Sequence, residues 1–155
     1  MRLKKLALAS VLGCLLLPAS GSAQEDADHQ PAIDAAMEVL TEYMVTFNSR
    51  NSTAWATTLN YPHYRFIGDR VDSWKDAEEY ARSVNLEDRS WDPWDHSHFI
   101  ALDVTLASPE KVHVLTTIRR YTANQEHLAT FKSLYIVTLE DGHWGVKARS
   151  SLAPR

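Results

Sequence analysis

Two histidines in an alternating pattern, His96 and His98, are the side chains best suited to proton chemistry, and Asp95 precedes them. In an extended chain, residues two apart share a face. Imidazole, with a reference pKa of about 6.5, can take or give a proton near neutral pH. Asp95 can orient either ring by accepting a hydrogen bond; the plainer alternative is a strand-end pair meeting solvent beside a loop acid. His-x-His also offers two metal ligands, but no third stands at a fixed spacing, so no metal centre is expected. Tyr43 sits at the inner edge of an apolar stripe. A phenol in an apolar cavity can donate to a developing oxyanion, or it can be a core tyrosine whose hydroxyl has a partner. Arg65, Arg119 and Arg149 fall in predicted strands, where a buried guanidinium needs Asp69, Asp103, a dimer mate or a substrate carboxylate. Trp91 and Trp94 flank Asp92-Pro93 just before His96 and suit a pocket mouth, while the other three tryptophans read as core.

The elements that must hold these groups are legible from periodicity. Ile33, Met37, Leu40, Met44 and Phe47 recur at three- and four-residue intervals after Pro31, predicting an amphipathic helix of about four turns. Residues 48–51 break it, and Ser52 or Thr53 caps a short helix running through Trp55 to Leu59. A strand and turn between Pro62 and Val71 lead to a third helix, for which Ser73-Trp74-Lys75-Asp76 has the form of a capping box. After Asp92-Pro93 the period becomes two. Segments 96–107, 111–123, 129–139 and 143–152, separated by turn residues, predict four consecutive antiparallel strands. Helices followed by a meander make an α+β fold. Ile100, Leu102, Val104 and Leu106 are expected on one face of the first strand, with Phe99 and Ala101 on the other. A sheet apolar on both faces needs two covers, and a partner subunit is the economical second one.

Composition narrows the function classes. A single cysteine, Cys14, excludes an intramolecular disulfide, a thiolate zinc site and an iron–sulfur cluster built from one chain. The formal net charge is −4, with no block of Lys or Arg to neutralise phosphates, so nucleic acid is not an expected partner. Arg2, Lys4 and Lys5, the apolar run from Leu6 to Leu17, and the small residues up to Ala23 form an export signal. Cleavage after Ala23 leaves 132 residues with no thiol and, three basic residues fewer, a charge of −7. The expected organisation is a signal peptide over 1–23, a solvated leader over 24–30 and one domain over 31–155, periplasmic or secreted and without a membrane span. A lipid anchor at Cys14 is the alternative, because Val11-Leu12-Gly13-Cys14 loosely resembles a lipobox.

These landmarks reach a family. Tyr43-Met44-Val45-Thr46-Phe47-Asn48, the short Trp55 helix, Tyr61-Pro62-His63-Tyr64-Arg65-Phe66, the Trp74 helix and a meander carrying Lys111-Val112-His113-Val114, Arg120-Tyr121 and Asp141-Gly142-His143-Trp144 resemble the nuclear transport factor 2-like superfamily. The SnoaL-like and ketosteroid isomerase-like branch is the most similar. The resemblance implies a cone: a curved antiparallel sheet wrapped around three N-terminal helices, with an apolar internal pocket and frequent sheet-to-sheet homodimers. Tyr43 falls where the isomerases carry their oxyanion tyrosine, whereas their general-base aspartate falls close to Gly68 and their second oxyanion donor close to Tyr135. His98-Phe99-Ile100 is similar to the tripeptide that carries one catalytic histidine of scytalone dehydratases. The resemblance therefore implies His98 and Tyr43 as the catalytic pair of any enzyme, and Trp55, Phe66, Trp94 and Tyr135 as pocket residues, with no cofactor. The expected function is binding of a small hydrophobic ligand; the alternative is acid/base isomerisation, dehydration or hydrolysis of a small apolar molecule.

Overall fold

A computed structural model of the chain describes residues 29–84, 86 and 93–153. The export signal, most of the leader and Trp91 lie outside the described residues.

The first helix, α1, spans Gln30–Asn48 and begins inside the expected leader, with a proline in its first turn, where no amide hydrogen is missed. Its buried stripe is Ala32, Ala36, Leu40, Tyr43, Met44 and Phe47. The N-terminal half is thus one position off the expected Ile33 and Met37, which are only half-buried. Alanines at the contact let that half approach the sheet closely, while larger side chains fill the wider C-terminal end. The next helix, α2 (Ser52–Ala56), is capped by Asn51, whose side chain accepts from Ala54 N, and it stops before Leu59. The third, α3 (Ala77–Ser83), carries its reciprocal cap three residues later than expected: Glu79 N donates to Asp76 Oδ1 and Lys75 N to Glu79 Oε2, each at 2.8 Å.

Six strands form one curved, unclosed sheet: β1 (Leu59–Ile67), β2 (Arg70–Trp74), β3 (His96–Ser108), β4 (Lys111–Tyr121), β5 (His127–Glu140) and β6 (His143–Ser151). The order is β2-β1-β6-β5-β4-β3, antiparallel throughout except where β1 runs parallel to β6. This is the α+β cone that the sequence implied. Its inner face, packed on α1, carries Val112, Val114, Ile118, Phe131, Tyr135, Val137 and Val146, all buried.

Strand β3 departs from strict alternation. Pairing passes from Phe99↔Ile118 to Ala101↔Thr117, and from Val104↔Val114 to Leu106↔His113. Each shift inserts one residue and reverses the side-chain phase. Phe99, Leu102, Val104 and Ala107 therefore oppose the inward-facing residues of β4, while Ala101, Asp103 and Leu106 stand outside, which corrects the single-face assignment for this strand. The outer face is apolar in patches: Tyr64, Phe66 and Leu106 are exposed, Leu106 at 63%.

Two polar ties hold the cone shut. Asn48, the last residue of α1, uses its amide as a strand would, with Nδ2 donating to Ser97 O and Oδ1 accepting from Ser97 N, both at 2.9 Å. Asn60 joins three strands: its Nδ2 donates to Thr138 O at 2.7 Å, and its Oδ1 lies 2.8 Å from His143 Nδ1. Gly145 lies alongside, where a Cβ would stand 2.8 Å from Leu59 C and 2.9 Å from Asn60 N; only glycine allows so close an approach.

Candidate functional site

The helix end and the wide end of the sheet enclose a narrow cleft, open on one side and lined by Tyr43, Met44, Phe47, Ser97, Ile118, Arg120, Phe131, Tyr135 and Arg149. Its waist admits little more than a water-sized occupant without side-chain movement. The Asn48 clamp sets Ser97 in place, and Trp94 secures it from behind by donating Nε1–H to Ser97 Oγ at 2.9 Å. Trp94 packs at a tilt on Phe47 at 4.8 Å between centroids and lies under the Arg50 guanidinium. Trp55 backs the other wall, in contact with Tyr43 at 5.2 Å and Phe47 at 4.9 Å.

Polarity enters through a few groups. Arg149 donates from Nη1 to Tyr43 Oη at 2.6 Å, and its guanidinium lies 5.8 Å from the Tyr135 ring centroid. The Tyr43 and Tyr135 rings meet edge to face at 5.4 Å. Tyr135 Oη is within electrostatic reach of Arg149 and Tyr43, yet in hydrogen-bonding geometry with neither. Burial raises the pKa of Tyr135 and of Tyr80, so both are neutral phenols. Burial opposes the charge of Arg149, but the phenolic oxygens of Tyr43, Tyr135 and Tyr80 outweigh it and push its pKa up. Arg65, beside Arg149 across the β1–β6 pairing, has its pKa lowered by burial and then by the Arg149 charge. His63 is pushed down to about 4, first by burial and then by the two arginines, and its Nδ1 lies 2.9 Å from Val146 O. The neutral ring donates there.

Of the residues singled out from sequence, Tyr43 and Tyr135 line the cleft, and Trp55 and Trp94 form the layer behind it. His98 and Phe66 do not join them. His98 pairs with Arg119 on the outer face, exposed, with His96 at 5.1 Å and Tyr121 at 5.9 Å between ring centroids. It is Ser97, one residue earlier, that points inward, so His98 and Tyr43 do not converge. Phe66 is 46% exposed, and its neighbour Arg65 is the inward one. Asp95 does orient a histidine, His96, at 2.8 Å, but on the outer face. Arg149, expected from sequence as a strand cation in need of a partner, also lines the cleft; Arg120 was not singled out as a site residue, and its inward phase on β4 was the available signal. Among the described residues, no group of three or more His, Cys, Asp or Glu side chains converges to hold a metal ion, and no helix is long and apolar enough to cross a membrane. The described lining is aromatic and aliphatic, with phenols, guanidinium groups and one hydroxyl. It is equipped to grip an oxygen-bearing molecule more than to abstract a proton.

The helix-filled, curved sheet is the nuclear transport factor 2-like fold. Solved structures with this fold include an NTF2-like protein of unknown function from Shewanella oneidensis, 11% identical, matched over 77% of this chain and 98% of that one with a TM-score of 0.63. Another, also of unknown function, is from Pseudomonas putida: 13% identical, covering 81% and 88%, TM-score 0.64. A candidate scytalone dehydratase from Novosphingobium aromaticivorans is 12% identical over 83% and 89%, TM-score 0.61. No protein-family model and no curated protein matches the sequence.

Proposed function

We propose that this protein is an exported, SnoaL-like small-molecule-binding protein that holds a ligand with an apolar body in the cleft beneath α1. The observation that carries this reading is the Tyr43–Arg149 pair set into an aromatic lining whose described members include no carboxylate or imidazole. Such a lining binds and orients; a proton-transfer enzyme needs a base within hydrogen-bond reach of its substrate. Acid/base catalysis with Tyr43 as hydroxyl donor is the alternative, favoured by the likeness to the candidate dehydratase.

Tyr64, Phe66, Leu106 and the shallow depression between Leu115, Leu134 and Leu152 support a second copy covering the outer face. Export rests on the basic, apolar and small-residue order of 1–23. Tryptophan fluorescence is the direct test of binding, since Trp55 and Trp94 back the cleft. Titration with a panel of small apolar compounds should give saturable changes that weaken when Tyr43 is replaced by Phe. Saturable binding that ignores Tyr43 would place the ligand elsewhere, and turnover of a panel member would favour the enzyme.

A further inference from the structure

Two guanidinium groups stand side by side where β1 lies against β6, each half-buried with its Nε shielded from solvent, and among the described residues no anion pairs with them. Arg65 and Arg149 are register partners, and each is surrounded by the phenols of Tyr43, Tyr80 and Tyr135. Among the described residues, neither guanidinium forms an ion pair; those present join Arg50 to Asp95, Arg70 to Asp72, Lys75 to Asp76, Arg82 to Glu78, His96 to Asp95 and Lys147 to Glu140. The Nε of Arg65 and of Arg149 is buried without a hydrogen-bond acceptor, as is the fully buried Tyr135 hydroxyl. His63, which also faces the pair, is held neutral chiefly by burial and then by the two arginines, so it adds no third positive charge. Tyr43 supplies one phenolic oxygen to Arg149. Burying like charges without a counter-charge is costly, and proteins otherwise pair them or neutralise them. Nor does the chain as a whole lean positive: its formal charge is −4, so the cationic cluster is a local feature.

We propose that the cleft takes a small organic carboxylate, its anionic end on Arg149 with the Tyr43 and Tyr135 hydroxyls and its apolar body between Phe47, Phe131 and Ile118. The planar guanidinium matches a carboxylate, and phenols that stay protonated can donate to it. A ligand carboxylate supplies the counter-charge that the described residues do not. The proposal rests on the small-molecule reading of the same cleft and specifies the ligand class that reading leaves open.

Calorimetric titration of the purified protein at pH 7 and constant ionic strength, with benzoate, benzyl alcohol and inorganic phosphate as probes, separates the possibilities. Benzoate should bind at least about tenfold more tightly than benzyl alcohol, the margin expected of one charge-assisted contact. Arg149→Met should erase that preference while leaving benzyl alcohol bound. Should that variant fail to fold, Tyr135→Phe, which strands no partner, should weaken benzoate several-fold and benzyl alcohol less. Equal affinity for benzoate and benzyl alcohol would overturn the carboxylate assignment and leave the apolar cleft standing. Binding of inorganic phosphate alone would overturn it in favour of a free-anion site. No binding of any probe up to about 10 mM would overturn both the assignment and the pocket reading.

Discussion

Acidification should destabilise this protein, most of all through His63, whose folded-state pKa is pushed down to about 4. In the folded chain its ring is buried against Trp74 and Tyr80 and faces Arg149 and Arg65; burial first and then these two charges push its pKa down to about 4, against the donation to Val146 O, which favours the charged ring. In the unfolded chain it titrates near 6.5. The unfolded state therefore binds a proton that the folded state refuses. His63 costs no stability above pH 6.5, and the loss grows as pH falls from there towards 4. With these two values the loss is about 2 kcal/mol at pH 5 and about 3 kcal/mol at pH 4, a large part of a small domain's stability. Urea denaturation followed by tryptophan fluorescence at pH 7, 6, 5 and 4 measures it, with His63→Asn as control, because an Asn side-chain amide can still donate to Val146 O but does not titrate. The wild-type curve should fall away from the variant's by about 2 kcal/mol between pH 7 and 5. Parallel curves, or a histidine ring signal assigned to His63 that titrates above pH 6, would refute the reasoning.

Tyr43→Phe removes the acceptor of the part-buried Arg149 Nη1 bond and leaves a charged donor unpaired, so it should cost about 1–3 kcal/mol in urea denaturation, more than the loss of an ordinary hydroxyl. Gly145→Ala forces a methyl into the backbone of Leu59 and Asn60 and should cost about 1–3 kcal/mol, visible as a lower Tm. His98→Ala acts on an exposed outer-face ring and should change stability by no more than about 0.5 kcal/mol and leave fluorescence-detected ligand binding unchanged.

The architecture was legible because its signals are periodic. A three-and-four spacing produced α1, turn residues separated β3 to β6, and both survive errors of a residue or two. The site was less legible because it depends on phase. Two single-residue insertions in β3 exchange its faces, and nothing in Phe99-Ile100-Ala101 marks the first of them. His98 drew attention by residue type, but the alternation that turns Ser97 and Phe99 towards α1 turns His98 away. Tyr43 lines the cleft because its stripe position on α1 turns it towards the sheet, and that stripe is legible in the sequence. Arg149 was recognised only as a cation in need of a partner; that the partner is a phenol, and that Arg65 stands beside it, depends on the parallel β1–β6 pairing, a contact between distant segments that no local pattern encodes. Asn48 and Asn60 were missed for the same reason, since each acts on a strand far along the chain.

The most direct test of the central claim is a crystal structure of the protein bound to a small molecule that it holds tightly in solution. The account predicts density between α1 and the inner face of the sheet, with a polar atom of the ligand about 3 Å from Tyr43 Oη or the Arg149 guanidinium. A ligand seated instead on the outer face, beside His98 or Phe66, with the cleft unchanged, would contradict it.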